Sequence, residues 1–409
     1  MDKSTGLLCP DEARERILES LSPLNALETL PLSSALRRIL AAPVVSQINV
    51  PPFDNSAVDG YAYATASIDR DQVWPVTQRV PAGVMPSPLM PGQVARIFTG
   101  ARVPEGADSV AMQEDCMAEG EQGVRLPLGK PSGNNIRERG QDITRGAEVV
   151  AAGTRLGPAH LGLIASVGEA NVRVFRRLKV AVLATGDELV KPGQPLKDGQ
   201  IYDSNGPMLE ALLHQCGFEV VSLGRIADTP EATRAALLKA SEADFILSTG
   251  GVSVGEEDHV RASVEALGAL SLWRLRIKPG KPLAYGRVGE TPFMGLPGNP
   301  SAVFVTFLIM AIPALCKRQG LSGQYLIRER YPAAFEVSHP GKRREFMRVR
   351  RFQHPDGRIE LLAYPNQSSG VLSSAAWASG LAVVRENTVV QPGDLVEYLS
   401  FESLLGGVC

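Results

Sequence analysis

Residues 244–259 read DFILSTGGVSVGEEDH, and this stretch indicates the fold class of the chain. Its apolar run stops at small hydroxyl residues and a glycine pair, and carboxylates follow at once. That is the pattern of a buried strand that ends in a loop able to hold a charged ligand. Three nearby apolar runs end in the same manner, at residues 185–188 (TGDE), 227–230 (ADTP) and 295–300 (GLPGNP). Because ligands of open α/β sheets bind at the carboxyl ends of the strands, the four ends predict one shared crevice.

Strands and helices are predicted to alternate between residues 178 and 320. The predicted strands are 179–185, 218–226, 245–248, 272–277 and 292–296. The predicted helices are 207–216, one that begins with Thr229 as its N-cap, 258–267 and 301–319. Such alternation predicts a mostly parallel sheet that is covered by helices on both faces.

Composition restricts the class of protein. The 409 residues suggest roughly three domains, and the net charge of −2 is no basis for nucleic-acid or membrane-surface binding. The N-terminus has no signal pattern, and the longest apolar run, 301–316, is shorter than the about 20 residues that span a bilayer. The five cysteines are scattered without metal-ligand spacing. We therefore expect a reduced, cytoplasmic protein that binds neither nucleic acid nor membranes.

The regions on either side of the α/β segment differ from it in character. Residues 10–40 and 158–167 are predicted to be helical, whereas 43–140 is rich in proline and glycine. Short strands are predicted in that second region at 73–76, 94–98 and 110–112. From residue 328 onward short strands return, and they are predicted at 346–350, 359–362 and 381–384.

These regions predict an elongated, multidomain chain of the α/β plus β-rich class. A helical linking domain is expected to be discontinuous, because its two halves flank an insertion. The predicted parts are this linking domain (1–44 and 141–176), an inserted β-rich domain (45–140), an α/β domain (177–327) and a C-terminal small β-barrel (328–409).

Carboxylates follow three of the predicted strands, as Glu188, Asp228 and Asp258. Carboxylates that converge at strand ends can coordinate Mg²⁺, which prefers oxygen ligands and often shares them with substrate phosphates. Taken alone, Asp228 and Asp258 are more typical of helix N-caps, and Glu188 fits a solvated loop equally well. Capping and ligand binding can coexist, so all three remain candidates.

Groups suited to anions lie beside these acids. Ser248, Gly250, Gly251 and Ser253 can offer backbone N–H groups and hydroxyls to an anion, although an ordinary tight turn is the alternative. Two lysines, Lys278 and Lys281, sit on a turn stiffened by prolines, where a solvated charged loop is the alternative. A helix N-terminus also favours anions, and the segment that precedes the last helix contains Pro297, Asn299, Pro300 and Ser301. For Ser301 itself we expect helix capping before ligand contact.

The β-rich region adds one unusual segment, residues 51–62, in which rigid prolines adjoin Asp54 and Asp59. Polar loops on a rigid frame often bind ligands. Residues 97–100 and 135–142 are further candidates, although each alone is more typical of a turn. The chain has neither a Gly-x-Gly-x-x-Gly nor a Walker loop after the first strand of the α/β segment, which excludes ordinary dinucleotide and P-loop binding. The five histidines have no ligand spacing, so zinc is not expected.

Five segments together resemble the MoeA family of molybdopterin molybdenumtransferases, bacterial relatives of the C-terminal region of gephyrin. They match in order, at 54–62, 185–189, 248–253, 278–282 and 296–300, and the resemblance covers nearly the whole chain. The resemblance implies a homodimer of four-domain subunits with a MogA-like α/β domain. The active site would lie between that domain of one subunit and the β-rich domain of the other. The family takes adenylylated molybdopterin and molybdate with Mg²⁺, inserts the metal at the dithiolene and releases AMP. Other proteins of molybdenum cofactor biosynthesis are expected as partners.

The resemblance also implies roles for individual residues. The family's catalytic positions correspond to Asp59, Thr99, Asp142, Glu188, Asp228, Asp258, Lys278 and Lys281. Among these, Glu188, Asp228 and Asp258 are the expected Mg²⁺ ligands. The substrate-binding candidates are Ser248, Gly250, Gly251, Ser253, Pro297, Asn299, Pro300, Ser301 and Arg344. The sequence departs from the family pattern at Arg344, because it is preceded by a second arginine, Arg343. Which of the two arginines faces the oxyanion is therefore left open.

Two other functions compete with insertion of the metal. The first is adenylylation of molybdopterin by ATP, which the homologous α/β fold performs in smaller proteins. The second is a gephyrin-like scaffold for receptors. The flanking domains and residues 54–62 favour insertion over adenylylation, and the absence of a fused adenylyltransferase domain argues against the scaffold.

Overall fold

The computed structural model describes residues 7–68, 71–250, 259–323 and 325–406, with only the backbone at Leu272. At its centre lies a six-stranded sheet. Its strands in chain order are β1 (Lys179–Thr185), β2 (Glu219–Ile226), β3 (Phe245–Thr249), β4 (Gly268–Arg274), β5 (Pro282–Val288) and β6 (Thr291–Leu296). They are arranged in the spatial order β2-β1-β3-β6-β5-β4. The first four in this order are mutually parallel, and β5 is antiparallel to both of its neighbours.

Helices cover both faces of this sheet. Because both faces are buried, the sequences of its strands are nearly continuous apolar runs. Alternation along β1 sends Val180 and Val182 to one face and Ala181 and Leu183 to the other. The covering helices are Asn205–Gln215, Pro230–Ala240, His259–Leu267 and Pro300–Arg318. The α/β arrangement predicted for this segment is confirmed.

Helix Pro300–Arg318 is long and apolar enough, by composition, to cross a membrane. However, 89% of its most apolar window is buried inside the protein. Its middle turns, Phe307–Ala311, widen into a π-helix and are fully buried. This is the environment of a core helix in a globular domain.

Segments from both sides of the β-rich region pair with each other. Strand Leu27–Pro31 pairs antiparallel with Asn171–Phe175, and Val44–Val45 pairs with Glu148–Val150. Helix Pro158–Ser166 packs on these strands through Ile164. Residues 27–50 and 143–175 therefore form one packed unit, called the linking unit below.

The helix predicted over residues 10–40 is wrong beyond Glu19. The observed helix, Pro10–Glu19, buries Ala13 and Ile17 in the core of the α/β domain. Pro23 and Pro31 interrupt the following segment, which becomes strand Leu27–Pro31 with alternating exposure. Its partner Asn171–Phe175 is far away in the chain, so a local periodicity could not reveal the pairing.

The β-rich region forms a second six-stranded sheet with a small core on each face. In spatial order its strands are Ser109–Met112, Gly60–Tyr63, Val94–Ile97, Val73–Val80, Gly123–Arg125 and Met117–Glu119. Strands Asn55–Ser56 and Ile136–Arg137 pair beside it. The three strands predicted here are confirmed.

The C-terminal region forms a third sheet. Its strands are Glu329–Pro332, Arg344–Gln353, Ile359–Ala363, Gly380–Val384 and Leu395–Ser400. A bridge between Ala333 and Leu361 connects the first of them back to the third. Helices Ser373–Trp377 and Phe401–Gly406 complete this unit. The multidomain α/β plus β-rich class is thereby confirmed, together with the three strands predicted here.

Two features of the α/β domain differ from the prediction. The strand predicted at 272–277 is observed as β4, and a separate strand, Ile277–Lys278, joins the C-terminal sheet beside Arg344. Strand β5 was not predicted. It forms a hairpin with β6 through the two-residue loop Gly289-Glu290, and a short Gly-x turn between apolar runs is a signal that could have revealed it.

Candidate functional site

The ends of four parallel strands lie at one edge of the central sheet. Ile226 is paired with Thr185, Ala184 with Thr249, and Thr249 with Leu296. The loops that follow β1, β2, β3 and β6 therefore start at the same level. A cavity of about 520 Å³ opens beside β1 and β2, within the size range of small-ligand sites. It is lined by charged side chains that include Lys191, Asp203, Glu210 and Arg225.

Two contacts connect these loops. Gly250 has φ +81°, and a Cβ added there would lie 2.8 Å from the carbonyl oxygen of Thr185, so only glycine allows the two strand ends to approach this closely. Asn205 donates a hydrogen bond from Nδ2 to the carbonyl of Gly298 at 2.7 Å. Asp203 holds the start of the same helix by accepting bonds from the backbone N–H groups of Asn205 and Gly206. Neither Asp203 nor Asn205 was singled out in the sequence.

Glu188 and Asp228 are free carboxylates at neighbouring strand ends. Glu188 is exposed and Asp228 half-buried, and neither side chain has a hydrogen bond or ion pair within the described part of the chain. Thr229 caps the helix that follows, with Oγ1 accepting from the N–H of Ala232 at 3.3 Å. The Thr229 cap is thus confirmed, and the capping alternative for Asp228 is wrong.

These two carboxylates fit a hard cation. Mg²⁺ commonly binds through one or two protein carboxylates and completes its shell with water and substrate phosphates. No group of three His, Cys, Asp or Glu side chains suited to a metal occurs among the described residues. Asp258, the third expected ligand, lies outside the described residues, as do Gly251 and Ser253.

The lysine turn lies at the same edge, because β5 runs antiparallel and begins where β6 ends. Lys278 and Lys281 are exposed, while the intervening Pro279 and Gly280 are buried. Lys278 Nζ lies 2.9 Å from a carboxylate oxygen of Glu345. Among the described residues Lys281 has no acidic partner, so its ammonium group is available to a ligand.

Two hydroxyls predicted to bind substrate are buried. Ser248 lies inside β3, and its Oγ has no hydrogen-bond partner in the described structure. Ser301 is also fully buried and donates to the carbonyl of Val371 at 2.7 Å. The N-cap position belongs to Asn299, so the expectation that Ser301 caps the helix is wrong. The first turn of that helix packs against the C-terminal unit, which explains the burial.

The other predicted substrate-binding residues of the loop after β6, apart from Pro297, are more accessible than Ser301. Gly298 and Asn299 are exposed, Pro300 is half-buried and Pro297 is buried. The side chain of Asn299 makes no capping hydrogen bond. The start of helix Pro300–Arg318 therefore presents polar groups at the strand ends.

Arg344 is not placed to bind an oxyanion. It is 5% exposed and donates to the carboxylates of Asp11 and Glu386. Burial alone would raise the pKa of Asp11, but the bonds from Arg344 and Arg14 outweigh burial and lower it to about 2. Two acids thus neutralise this guanidinium, which contradicts its predicted role. The neighbouring Arg343 donates to the carbonyl of Ile277 at 3.3 Å.

Arg348 is a better candidate that the sequence did not reveal. Its guanidinium is fully buried and donates to Ser374 Oγ at 2.9 Å and to the carbonyl of Ser368 at 3.1 Å. No carboxylate of a described residue lies within 4 Å of it, and burial lowers its pKa to about 10. A buried charge without a counter-ion is costly, and an oxyanion would relieve that cost.

Asp59 and Thr99 lie together in the β-rich unit. The backbone N–H of Thr99 and its hydroxyl both donate to one Asp59 oxygen at 2.8 Å. The pKa of Asp59 is lowered, first by the backbone hydrogen bond and then by the hydroxyl. Asp142 is exposed at the border of the linking unit, where its backbone N–H donates to the carbonyl of Val50 at 3.0 Å.

A stack of guanidinium and aromatic groups extends from this pair. Across three strands Arg79 is paired with Arg96, and Arg96 with Tyr61. Arg79 and Arg96 lie over the ring of Phe98 at 4.5 and 4.8 Å, and Arg96 also lies 5.0 Å from the ring of Tyr61. Sequence reasoning missed this surface, because it depends on the register of three strands.

The hydroxyl of Thr99 is expected to contribute to the low pKa of Asp59. Thr99→Val removes that donor but keeps the backbone N–H, so the pKa of Asp59 should rise towards its ordinary value without reaching it. A ¹³C carboxyl titration by NMR would measure the change, with the remote Asp356 as an internal control. An unchanged pKa of Asp59 would show that the hydroxyl contributes nothing.

The comparisons with known proteins agree with this architecture. Three family models match: the MoeA N-terminal region (domain I and II) at residues 8–168, a "probable molybdopterin binding domain" at 181–317 and the MoeA C-terminal region (domain IV) at 330–401. A relative from Haemophilus influenzae, named molybdopterin molybdenumtransferase, is 38% identical over 98% of this chain and 100% of its own length. A relative of the same name from a Nostoc species is 38% identical over 87% of this chain and 84% of its own length.

A solved structure extends the match to three dimensions. The crystal structure of a molybdopterin biosynthesis MoeA protein from Pyrococcus horikosii is 31% identical, covers 97% of this chain and 99% of its own, and has a TM-score of 0.78. The fold thus defines a multidomain protein of the α/β plus β-rich class, with a candidate ligand site at the carboxyl ends of its central sheet. The chain belongs to the MoeA family.

Proposed function

We propose that this chain inserts molybdate into adenylylated molybdopterin and releases AMP. It is a molybdopterin molybdenumtransferase of molybdenum cofactor biosynthesis, as its full-length relatives are named. The observation that supports this proposal is the alignment of four strand ends, where Glu188 and Asp228 have unpaired side chains at the same sheet edge as Lys281. Free acids and an available lysine at one edge suit a substrate with phosphates and a cation.

The chain's own groups would hold the negative charges of the substrates. Lys281 and, after it leaves Glu345, Lys278 act as point charges for phosphate or molybdate oxygens. The backbone around Gly250 offers N–H groups at close approach. Lys281 and the backbone donors need no such rearrangement, so they can stabilise charge that develops when the pyrophosphate link breaks. If water attacks the adenylyl phosphorus, the pyrophosphate link breaks and the products are AMP and molybdopterin with its own phosphate. If a molybdate oxygen attacks, the same bond breaks, and a water must then cleave the adenylyl–molybdate anhydride to give AMP and return molybdate.

Glu188 and Asp228 are the described residues that would hold Mg²⁺, with Asp258 as a third candidate from the resemblance. When bound, the ion would offset the charge of the phosphates and orient the bond to be cleaved. Neither carboxylate has a cationic partner among the described residues, and this supports the assignment.

For the oxyanion we propose Arg348 in place of Arg344. Arg344 is neutralised by two acids, whereas Arg348 has no acidic partner among the described residues. Ser374 and Ser368, which now accept its hydrogen bonds, lie beside the buried Ser301 near the start of helix Pro300–Arg318. An anion that entered here would take over part of those bonds.

We also propose that a second copy of the chain completes the site. Asp59 and Thr99 belong to the β-rich unit, and among the described residues they bond to each other and not to the strand-end loops. The resemblance places these positions over the α/β domain of a partner subunit. Measurement of the molar mass in solution would test the dimer directly.

The test of the proposed function is release of AMP. Purified protein is mixed with adenylylated molybdopterin, Mg²⁺ and molybdate, and nucleotide is followed by chromatography. AMP is expected only when all three are present. A parallel reaction with molybdopterin and ATP tests the competing activity, and formation of adenylylated molybdopterin there without AMP release in the first reaction would refute the proposal.

A further inference from the structure

A second cavity, of about 220 Å³, lies away from the strand-end loops and is strongly basic. Its charged lining consists of Arg37, Arg38, Arg155, Arg177 and His214, and no aspartate or glutamate lines it. Such a grouping is unusual in a chain whose net charge is −2. Positive charges grouped in this way repel one another, and an anion bound between them would relieve that repulsion.

The position of this cavity separates it from the proposed active site. One wall is the C-terminal end of helix Asn205–Gln215 together with Phe218, directly before β2. The cavity is therefore at the amino edge of the central sheet, whereas the loops of the proposed site follow the carboxyl ends. The opposite wall, Leu36–Ile39 and Arg155, belongs to the linking unit. The cavity thus lies at the junction of two structural units.

Most of the positive charges that line this cavity have no nearby carboxylate as a counter-ion. Arg38 is paired with Glu28 and also donates to the carbonyl of Phe175. In the described part of the chain, neither Arg37 nor Arg177 has a carboxylate within 4 Å. Arg155 contacts the Sγ of Cys316 at 3.9 Å. The nearby helix end contributes only about half a negative charge, which is less than three guanidinium groups require.

The backbone of Arg37 supplies an independent observation. Its φ is +62°, and the other non-glycine residues with positive φ in the described chain are Asn135 and Asn387. Asparagine adopts this conformation readily, whereas a long side chain there costs roughly 1–2 kcal/mol. The N–H of Arg37 is held by the carbonyl of Leu156 at 2.8 Å, so the strain is imposed by the fold. Arginine at a strained position suggests that its side chain has a role.

The frame around the arginines is rigid. Gln319, which also lines the cavity, accepts from the N–H of Leu178 at 2.6 Å and donates to the carbonyl of Arg176 at 2.7 Å. These bonds fix the loop that carries Arg177 against helix Pro300–Arg318. Donors that are already positioned bind an anion with a smaller loss of entropy.

We propose that this cavity binds a phosphate-type anion, held by Arg37, Arg155 and Arg177. Guanidinium groups match phosphate oxygens with paired hydrogen bonds, and three such groups would surround a small tetrahedral dianion. Because Arg37 and Arg155 come from the linking unit and Arg177 from the α/β domain, the bound anion connects the two units. Binding stabilises their packing without occupying the proposed active site.

The test uses thermal unfolding of the full chain with inorganic phosphate, at ionic strength held constant with KCl. A ligand that binds only the folded protein raises Tm in a saturable manner, so phosphate at about 100 times its Kd should raise Tm by a few degrees. AMP in a second series distinguishes a phosphate monoester from the free ion as the source of the phosphate group. AMP can also bind the proposed active site, so only the part of each shift that Arg37→Asn removes is assigned to the cavity. If that part is larger with AMP, the cavity binds a monoester, and if it is larger with phosphate, the cavity binds the free ion.

Arg37→Asn provides the decisive variant, because asparagine tolerates the positive φ and the fold should be as stable as before. It should lose most of the phosphate-dependent shift, and Arg177→Gln should reduce it. Arg173→Gln, an exposed arginine of the linking unit outside the cavity, should keep the full shift. Equal shifts in wild type, Arg37→Asn and Arg177→Gln would overturn the proposal, as would a wild-type shift no larger than that of KCl.

Discussion

Replacement of Asp228 by alanine is expected to reduce AMP release from adenylylated molybdopterin by about 100-fold or more. A cation at phosphates contributes several kcal/mol to charge stabilisation, and each 1.36 kcal/mol corresponds to a factor of about ten in rate. Removal of one carboxylate from an edge that offers Glu188 and Asp228 should therefore abolish most of the activity. Asp258→Ala is expected to behave in the same way.

Stability separates this loss from unfolding. The hydroxyl of Thr229, and not Asp228, caps the helix that follows, so Asp228→Ala should change the free energy of unfolding by no more than about 0.5 kcal/mol. Glu231→Ala is the matched control, because this exposed acid lies three residues away on the first turn of the same helix. AMP release should be unchanged in that control. Full activity in Asp228→Ala would remove this residue from the metal site.

Arg344→Ala is expected to lower the free energy of unfolding by about 3 kcal/mol. Removal of one partner from a buried ion pair leaves the other charges without compensation, which typically costs about 3–5 kcal/mol. The lower end applies, because Asp11 keeps Arg14 and Arg328 as ion-pair partners and Glu386 keeps Arg276. Urea unfolding would measure the loss. If Arg344 bound an oxyanion instead, stability would change little and the KM for molybdate would rise.

The pH dependence of stability gives a second measurement of the same network. The folded-state pKa of Asp11 is about 2, below the value of about 3.9 for an unfolded chain. A depressed pKa contributes stability that is fully present above about pH 4 and is lost as the pH falls towards 2. Arg344→Ala should flatten this part of the curve, and Asp11→Asn should do the same. A double variant that loses no more than Arg344→Ala alone would confirm that the two residues act as a pair.

Prediction succeeded where the signal was local. Strands β1, β2, β3 and β6 were recognised because each is a short apolar run that ends in glycine or a small polar residue. The N-cap Thr229 and the acids at the strand ends are read from neighbours within a few residues. Prediction failed for Leu27–Pro31, whose partner strand is more than 100 residues away, and for β5.

Some residues have contacts that differ from the predicted ones, and in each case the partner lies far away in the sequence. Asp11 and Arg344 are 333 positions apart, and the sequence around each residue contains no pattern that predicts their ion pair. Ser301 is buried and donates its hydroxyl hydrogen bond to the carbonyl of Val371, which lies 70 positions away in the sequence. Arg348 and the basic cavity behind the central sheet likewise depend on segments that meet only after folding.

Local order along the chain was therefore sufficient to predict the α/β class and the strand ends that meet at one edge of the sheet. Strand periodicity and turn preferences depend on residues that are close in the sequence, so they can be recognised without knowledge of the tertiary structure. Which charges are neutralised, which hydroxyls are buried and which arginines stay unpaired was decided only by tertiary packing. The energy of a charge depends on its burial and its nearest counter-ion, and both are set by segments that the linear order keeps far apart.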